Sequence, residues 1–284
     1  MRNKIRNIGL MLILFPIAFS SCISLKPVNN YATASQKSIN QFEDIKYSFK
    51  QNCWDNCFDK KINDLNLKAA DCDCKLNEKA DSVTLVIYNA AKGYIDGLVN
   101  LSNNELTDYK IDELTKALTE NDFGSIKIEK PQVEAYSKIS KIILRALTDG
   151  YRKKEIKKYI INANQPFNVL ISFLDFNLSN NLIGKLNVQK QRIESYYFDL
   201  TKDKTLSTFE KRKAVEAYYQ QLAKIEDKKK ELIIFSKALK KIAEGHQKLV
   251  DNIDNIKEQQ VKELLTEYAS NIREIISEFN KLNK

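Results

Sequence analysis

From Val215 onward the apolar positions recur at gaps of three and four: Val215, Tyr218, Leu222, Ile225, Leu232, Phe235, Leu239, Ile242, Leu249, Ile253 and Ile256. This is a heptad seam, with Lys229 and His246 as its polar members. Ser207 and Glu210 just before it have the spacing of a capping box, which predicts where the helix begins. A continuous helix from Val215 to Ile256 would measure about 63 Å. The repeat slips by one residue near Glu258-Gln259-Gln260 and resumes through Val261, Leu265, Tyr268, Ile272, Ile275 and Phe279. The slip marks either a bend or the turn into a final helix. Gly245 costs about 1 kcal/mol inside a helix and is a candidate kink.

The same period runs through the rest of the chain. Ile39, Phe42, Ile45, Phe49, Cys53 and Cys57 make one helical stripe over residues 34–60. Ala80, Val83, Ile87, Ala90, Tyr94 and Leu98 make another over 75–102, with Ala90, Gly93 and Gly97 on a face that allows close helix packing. Thr107 can cap a short helix through Thr119. Ile126 and Ile128 alternate, which suits one short strand. Pro131 opens a helix that is predicted to reach about Ala163 with a bend at Gly150. Asn164-Gln165-Pro166 is predicted to break it, and a further helix runs from Pro166 to about Leu200. Only 7 Gly and 4 Pro occur in 284 residues, too few for the turns of a sandwich, barrel or doubly wound sheet. The pattern predicts an all-α protein: an elongated bundle of long antiparallel helices, with an N-terminal helical region at 34–122 and a long-helix bundle at 131–284.

The N-terminus has a different pattern. Arg2, Lys4 and Arg6 precede an apolar run from Ile8 to Phe19, and Ser20-Ser21-Cys22 follows. That is the layout of a secretory signal peptide. The run is too short for a membrane span of ~20 apolar residues, and it contains Pro16. With Cys22 directly after the small residues, the segment resembles the lipobox of bacterial lipoprotein precursors. Phe19 stands where that family usually has Leu. The resemblance implies removal of residues 1–21, lipid on Cys22, and a membrane partner reached through that lipid. Residues 22–33, with Pro27, then read as a short polar tether. Asp does not follow Cys22, and no acidic residue precedes Glu43. By the same resemblance this favours the periplasmic face of an outer membrane. Ile242-Ala243-Glu244-Gly245-His246 with Leu249 is similar to a segment of uncharacterised all-helical envelope lipoproteins, and Tyr88 to Leu98 shares some of that character. That likeness implies no activity.

Charge and cysteines add two constraints. The net charge is +9, and the leader supplies three of those charges. So modest an excess, in an exported chain, argues against nucleic acid as a partner. Besides Cys22 there are Cys53, Cys57, Cys72 and Cys74, an even set that reads as two disulfides in an oxidising compartment. Three connectivities are open, and the nested one is easiest if the chain reverses between the pairs. The competing reading, a metal site aided by Asp55, Asp71 and Asp73, is weakened by the Cys-x-Cys spacing.

Candidate chemistry is sparse. His246 is the only histidine and lies on the seam, where a buried packing role is the default. Arg152-Lys153-Lys154 with Lys157 and Lys158 forms a basic patch, suited to water or to lipid phosphates. Phe167 to Leu174 is the most apolar segment beyond the leader, suited to a bundle interior or to an inserting hairpin. No phosphate loop, histidine–carboxylate metal motif or nucleophile with a base is legible, so neither a cofactor nor an enzymatic role is expected. The reading that follows is a non-enzymatic envelope lipoprotein that binds a protein or polymer, with no oligomeric state implied. The alternatives are a pore-forming-like helical protein inserting Pro166–Phe176, and a helical adaptor of an envelope transport complex.

Overall fold

The computed structural model describes residues 25–68, 71–103, 105, 126–148 and 155–282. The leader, Cys22, the Thr107–Thr119 segment, Gly150 and Arg152–Lys154 lie outside them. Among the described residues every regular element is a helix and there is no strand; Ile126 and Ile128 sit on an irregular connection.

Helix α1 spans Lys26–Ile39 and continues as a 3-10 turn to Asp44. This overturns the reading of Ile23 to Thr33 as a polar tether from Lys26 onward. Pro27 occupies the first turn, where its missing N–H is not needed, so it starts the helix. Val28, Tyr31, Ala32, Ser35, Ser38 and Ile39 then form a fully buried stripe. Half of those side chains are small or hydroxylic, which hides the period in a hydropathy reading. Each large member contributes about 1.5–3 kcal/mol by leaving water.

Helix α2 spans Phe49–Asn63, so the stripe expected over 34–60 is two helices. Ser48 ends the extended link between them and accepts from the Gln51 N–H at 3.2 Å, while Asp81 accepts from the N–H groups of Phe49 and Lys50 at 2.9 Å each. Capping from both sides makes the break cheaper than continuation. Helix α3, Lys75–Ser102, runs antiparallel to α1: Asn29 donates to Ser102 at 2.8 Å and Gln36 to Asp96 at 2.9 Å.

Helix α4 spans Lys130–Thr148 and α5 spans Ile156–Asp175; they pack as a pair instead of forming one bent rod. The predicted break at Pro166 does not occur. Pro166 is inside α5 and buried. Its ring and missing N–H cost about 3 kcal/mol. Tyr159, Ile160, Ala163, Phe167, Leu170 and Leu174, all buried around it, offset that cost by holding one face of the helix in the core. The irregularity comes later, as a π-helical stretch over Phe176–Leu182. Its wider turns rotate the inward face, so that Leu178, Leu182 and Leu186 continue the buried stripe. Helix α6, Ile183–Lys202, carries on without a break, giving a shaft of about 70 Å from Ile156.

Helix α7, Thr208–Asp251, is the seam helix, about 66 Å long, and starts at the expected capping box. It runs antiparallel to the shaft, with Asp175 bonded to Ser236, Lys190 paired to Glu226 at 3.2 Å and Gln221 donating to Tyr197 at 2.9 Å. The slip near Glu258 is the turn into α8, Gln259–Leu282. Helix α1 lies alongside α8 in the same direction, with Gln41 near Ile276 and Asn280. One hydrophobic core collects buried side chains from Leu25 to Phe279, across both regions separated in the sequence reading. Along the hairpin that core runs from Ile156 to Ile193 on one side and from Ile225 to Leu249 on the other. The outer part of the hairpin, residues 194–224, extends beyond it.

Candidate interaction surface

The four cysteines form two nested disulfides, Cys53–Cys74 and Cys57–Cys72, with Cα atoms 5.8 and 6.0 Å apart. Their sulfurs are therefore not available as thiolate ligands. Among the described residues no three His, Cys, Asp or Glu side chains converge on a possible metal position. The bridges fix α2 as a strut along the hairpin. Asp55 pairs with Lys228 at 2.8 Å, Arg192 donates to Asn56, and Gln189 donates to Asp59 at 3.3 Å. Burial pushes the Asp59 carboxyl up, against the opposing pull of Gln189 and Arg192.

His246 is fully buried. Its Nε2 lies 2.6 Å from the Tyr94 hydroxyl and its Nδ1 lies 3.3 Å from Asn164 Oδ1. Tyr94 therefore donates to Nε2 and the ring donates from Nδ1, which assigns the neutral tautomer. Burial drives its pKa down to about 3. The Phe167 and Tyr94 rings lie 5.0 and 5.4 Å away, so the imidazole fills a polar slot in an aromatic core. Gly245 beside it is a contact point and not a kink. A Cβ there would lie 2.5 Å from the Tyr31 ring, whose hydroxyl donates to the Ile242 carbonyl at 2.6 Å.

Of the basic patch, Lys157 pairs with Asp254, and Lys158 also has a partner. Phe167, Leu170, Ile171 and Leu174 are buried in the core. The Asp175 carboxylate within that segment is engaged by Ser236 and Lys240 of α7. Among the described residues no helix is long and apolar enough to cross a membrane.

The outer half of the hairpin was not singled out by the sequence reading. From Glu194 to Lys224 no residue is buried, although the stretch holds Tyr196, Tyr197, Phe198, Leu200, Leu206, Phe209, Val215, Tyr218, Tyr219 and Leu222. Four tyrosine rings form a row across the two helices: centroids are 5.2 Å apart for Tyr196–Tyr197, 5.8 Å for Tyr197–Tyr218 and 5.1 Å for Tyr218–Tyr219. Phe198, Phe209 and Tyr219 are 61%, 68% and 63% exposed. Lys202 and Lys213 lie over the Phe198 and Phe209 rings at 5.2 and 5.9 Å.

Two clefts border the tyrosine row. One, of about 330 Å³, is shared with the end of α2 and mixes polar and apolar groups, among them Asn56, Asp59, Ile62, Arg192, Ile193 and Tyr196. The other, of about 350 Å³, is lined by Glu194, Tyr197, Phe198, Thr201, Val215, Tyr218 and Tyr219. A further apolar group, Phe58, Ile62, Leu65 and Leu67, is exposed where α2 ends. One sequence signal for this surface existed: Tyr196-Tyr197-Phe198 and Tyr218-Tyr219 are adjacent aromatics, and successive residues of a helix cannot all face one core. The arrangement offers flat rings, nearby amides and balanced charges, which is equipment for docking. Compared with known proteins, the chain matches no family model, no curated protein and no solved structure.

Proposed function

We propose that this chain is a lipid-anchored interaction module of a bacterial cell envelope, held to the membrane through Cys22 and docking through the outer half of its hairpin. The observation that carries this reading is the separation of the two ends. With lipid on Cys22, three residues lie between the anchor and α1, a reach of about 10 Å. The start of α1 sits beside the end of α3, through Asn29 and Ser102, and near the last turns of α7, through Tyr31 and Ile242. That end of the bundle therefore rests against the bilayer. Thr208 lies about 55 Å further along α7 from Gly245, so the exposed aromatics stand well clear of the anchoring leaflet. Exposed aromatic clusters of this kind are characteristic of protein contact surfaces. The burial of Phe167, Leu170, Ile171, Phe173 and Leu174 supports docking over insertion, since insertion would first require dismantling the core.

The test is made in cells on the full chain. Membrane fractions should contain the protein, and Cys22→Ala should release it or leave the leader uncut. A photo-crosslinking side chain at Tyr219 should give discrete adducts, while the same group at Ser270, exposed on α8, should not. Unchanged fractionation of Cys22→Ala, together with no adduct at Tyr219, would sink the reading.

A further inference from the structure

Below the tip, α2 lies against the shaft across a cleft of about 570 Å³. Asn52 and Asn56 of α2 line one side of it, and Asn180, Asn181, Gly184 and Lys185 of the shaft line the other. The shaft is π-helical from Phe176 to Leu182, so Asn180 and Asn181 stand on its widened turns. Such turns inside a long helix recur at functional sites. Three features of the cleft cost stability without serving the packing. Asparagine is among the weaker helix formers, yet four of them line this cleft and a fifth, Asn177, is bonded behind them to Asn181. Asn177 is 1% exposed and its Nδ2 has no partner among the described residues, although a buried amide left unpaired is destabilising. Gly184 is helical, and a Cβ there would meet nothing within 4 Å, so neither backbone conformation nor packing calls for a glycine. Its effect is to leave room.

The hydrogen bonds around the cleft leave donors in excess. Asn56 donates to Asn52 at 3.2 Å and Asn181 to Asn177 at 2.8 Å. Arg192 donates to Asn56, and the Ser179 hydroxyl donates to Asn180 at 3.4 Å. Four of the five carbonyls therefore already accept. Of the amide nitrogens, Asn52 spends one N–H on Tyr47, and each of the five keeps at least one N–H without an acceptor among the described residues. Lys185 is the one charged residue lining the cleft among the described residues. Its ammonium lies 6.0 Å from the centre of the Phe49 ring and has no ion pair among the described residues. Neighbouring carboxylates are engaged elsewhere: Asp55 pairs with Lys228, Asp59 accepts from Gln189, and Asp81 accepts from two backbone N–H groups at the start of α2. The two clefts at the tip, by contrast, each include a carboxylate, Asp59 or Glu194. Spare N–H groups beside a single cation are matched by an acceptor that carries negative charge.

We propose that this cleft binds a small ligand through an oxyanion, a carboxylate or phosphate group held by Lys185 and the side-chain amides of Asn52, Asn56 and Asn180. The oxygens of such a group accept the N–H groups that the protein leaves unused, in charge-assisted hydrogen bonds. The rest of the ligand occupies the space over Gly184, between Phe49 and Val188. The volume lies within the range of about 300–1,000 Å³ found for small-molecule sites, which is more than a bare ion needs. The site is separate from the hairpin tip and does not depend on the docking role proposed there.

Titration of the isotope-labelled full chain in detergent, read from the side-chain amide signals of asparagine, tests this with two probes, glycerol phosphate and glucuronate. At least one should shift the Asn52, Asn56 and Asn180 signals saturably. Lys185→Gln should weaken that binding by about tenfold or more. Gly184→Met fills the cleft, leaves every polar group in place and favours the helix, so it should weaken binding similarly with the circular dichroism unchanged. Lys257→Gln removes the same charge from the exposed turn after α7 and should leave binding as it is. Saturation by glycerol phosphate alone assigns a phosphate ligand, by glucuronate alone a carboxylate, and by both an oxyanion of either kind. No saturation with either probe, binding unmoved by Lys185→Gln and Gly184→Met, or equal sensitivity to Lys257→Gln and Lys185→Gln would overturn the proposal.

Discussion

Gly245 shows how one residue sets the distance between two helices. Alanine at a helical glycine ordinarily gains about 1 kcal/mol. Here the added Cβ would sit 2.5 Å from a ring atom of Tyr31, itself fully buried and bonded to α7. Overpacking of that kind costs about 1–3 kcal/mol, so Gly245→Ala should destabilise the protein in urea unfolding. The deficit should shrink when Tyr31→Ala is combined with it. His246 gives a pH-dependent counterpart. Its folded pKa of about 3 lies below the ordinary histidine value of 6.5, so the unfolded chain takes up the proton first. Stability from this group is complete above pH 6.5 and falls as the pH drops toward 3, by up to about 1.4 kcal/mol per unit. The raised Asp59 and Asp96 carboxyls act in the opposite sense. The comparison that isolates the histidine is therefore His246→Gln, whose amide oxygen can still accept from Tyr94. Its stability curve should be flatter than the wild type between those limits. A histidine on a heptad seam was legible as a packing residue from its position. Its partners were not, because Tyr94 and Asn164 come from helices far away in sequence.

At the scale of elements, legibility followed the size of the inward side chains. Helix α7 declared itself because its stripe is built from Ile, Leu and Phe, and its start because Ser207 and Glu210 form a capping box. The first part of α1, up to Thr33, reads as a tether because only Val28 and Tyr31 there look like core residues and Ala32 buries as completely as a leucine without looking hydrophobic. Pro27 and Pro166 both look like punctuation; one starts a helix and the other is carried through a helix by its packed neighbours. The nested disulfides belong to this scale too. The Cys57–Cys72 bridge closes a 15-residue separation, for which restriction of the unfolded chain contributes about 3 kcal/mol. Replacing both cysteines by serine should lower the unfolding free energy by about that amount. It should also speed proteolysis near Lys68 while α7 and α8 remain protected. Equal cleavage rates would mean that Asp81, Asp55 and Asn56 hold α2 without the bridge.

For the whole molecule, the single core matters more than the boundary expected between residues 122 and 131. Side chains from α1, α3, α5, α7 and α8 meet in it, so its loss should be cooperative. Leu170→Asp places an unpaired charge at a fully buried position and should unfold the entire chain in one transition, read by circular dichroism. Survival of α1 and α8 in that variant would divide the molecule. The shape of the molecule was only half legible. The sequence predicted long antiparallel helices, but not that they outrun their core, because the period of Val215, Tyr218 and Leu222 is the same whether or not a third helix covers them. The tip is exposed because α1, α3 and α8 end short of it.

The unbroken shaft from Ile156 to Lys202, π turns included, has a mechanical corollary. Anything that grips the aromatic end holds a lever arm of about 55 Å, so a tilt of ~5° at the base sweeps that end by ~5 Å. A tug there is transmitted along the backbone directly to Tyr159 and Phe167, and the tyrosines that face outward are joined by two stiff rods to those that are sealed inside.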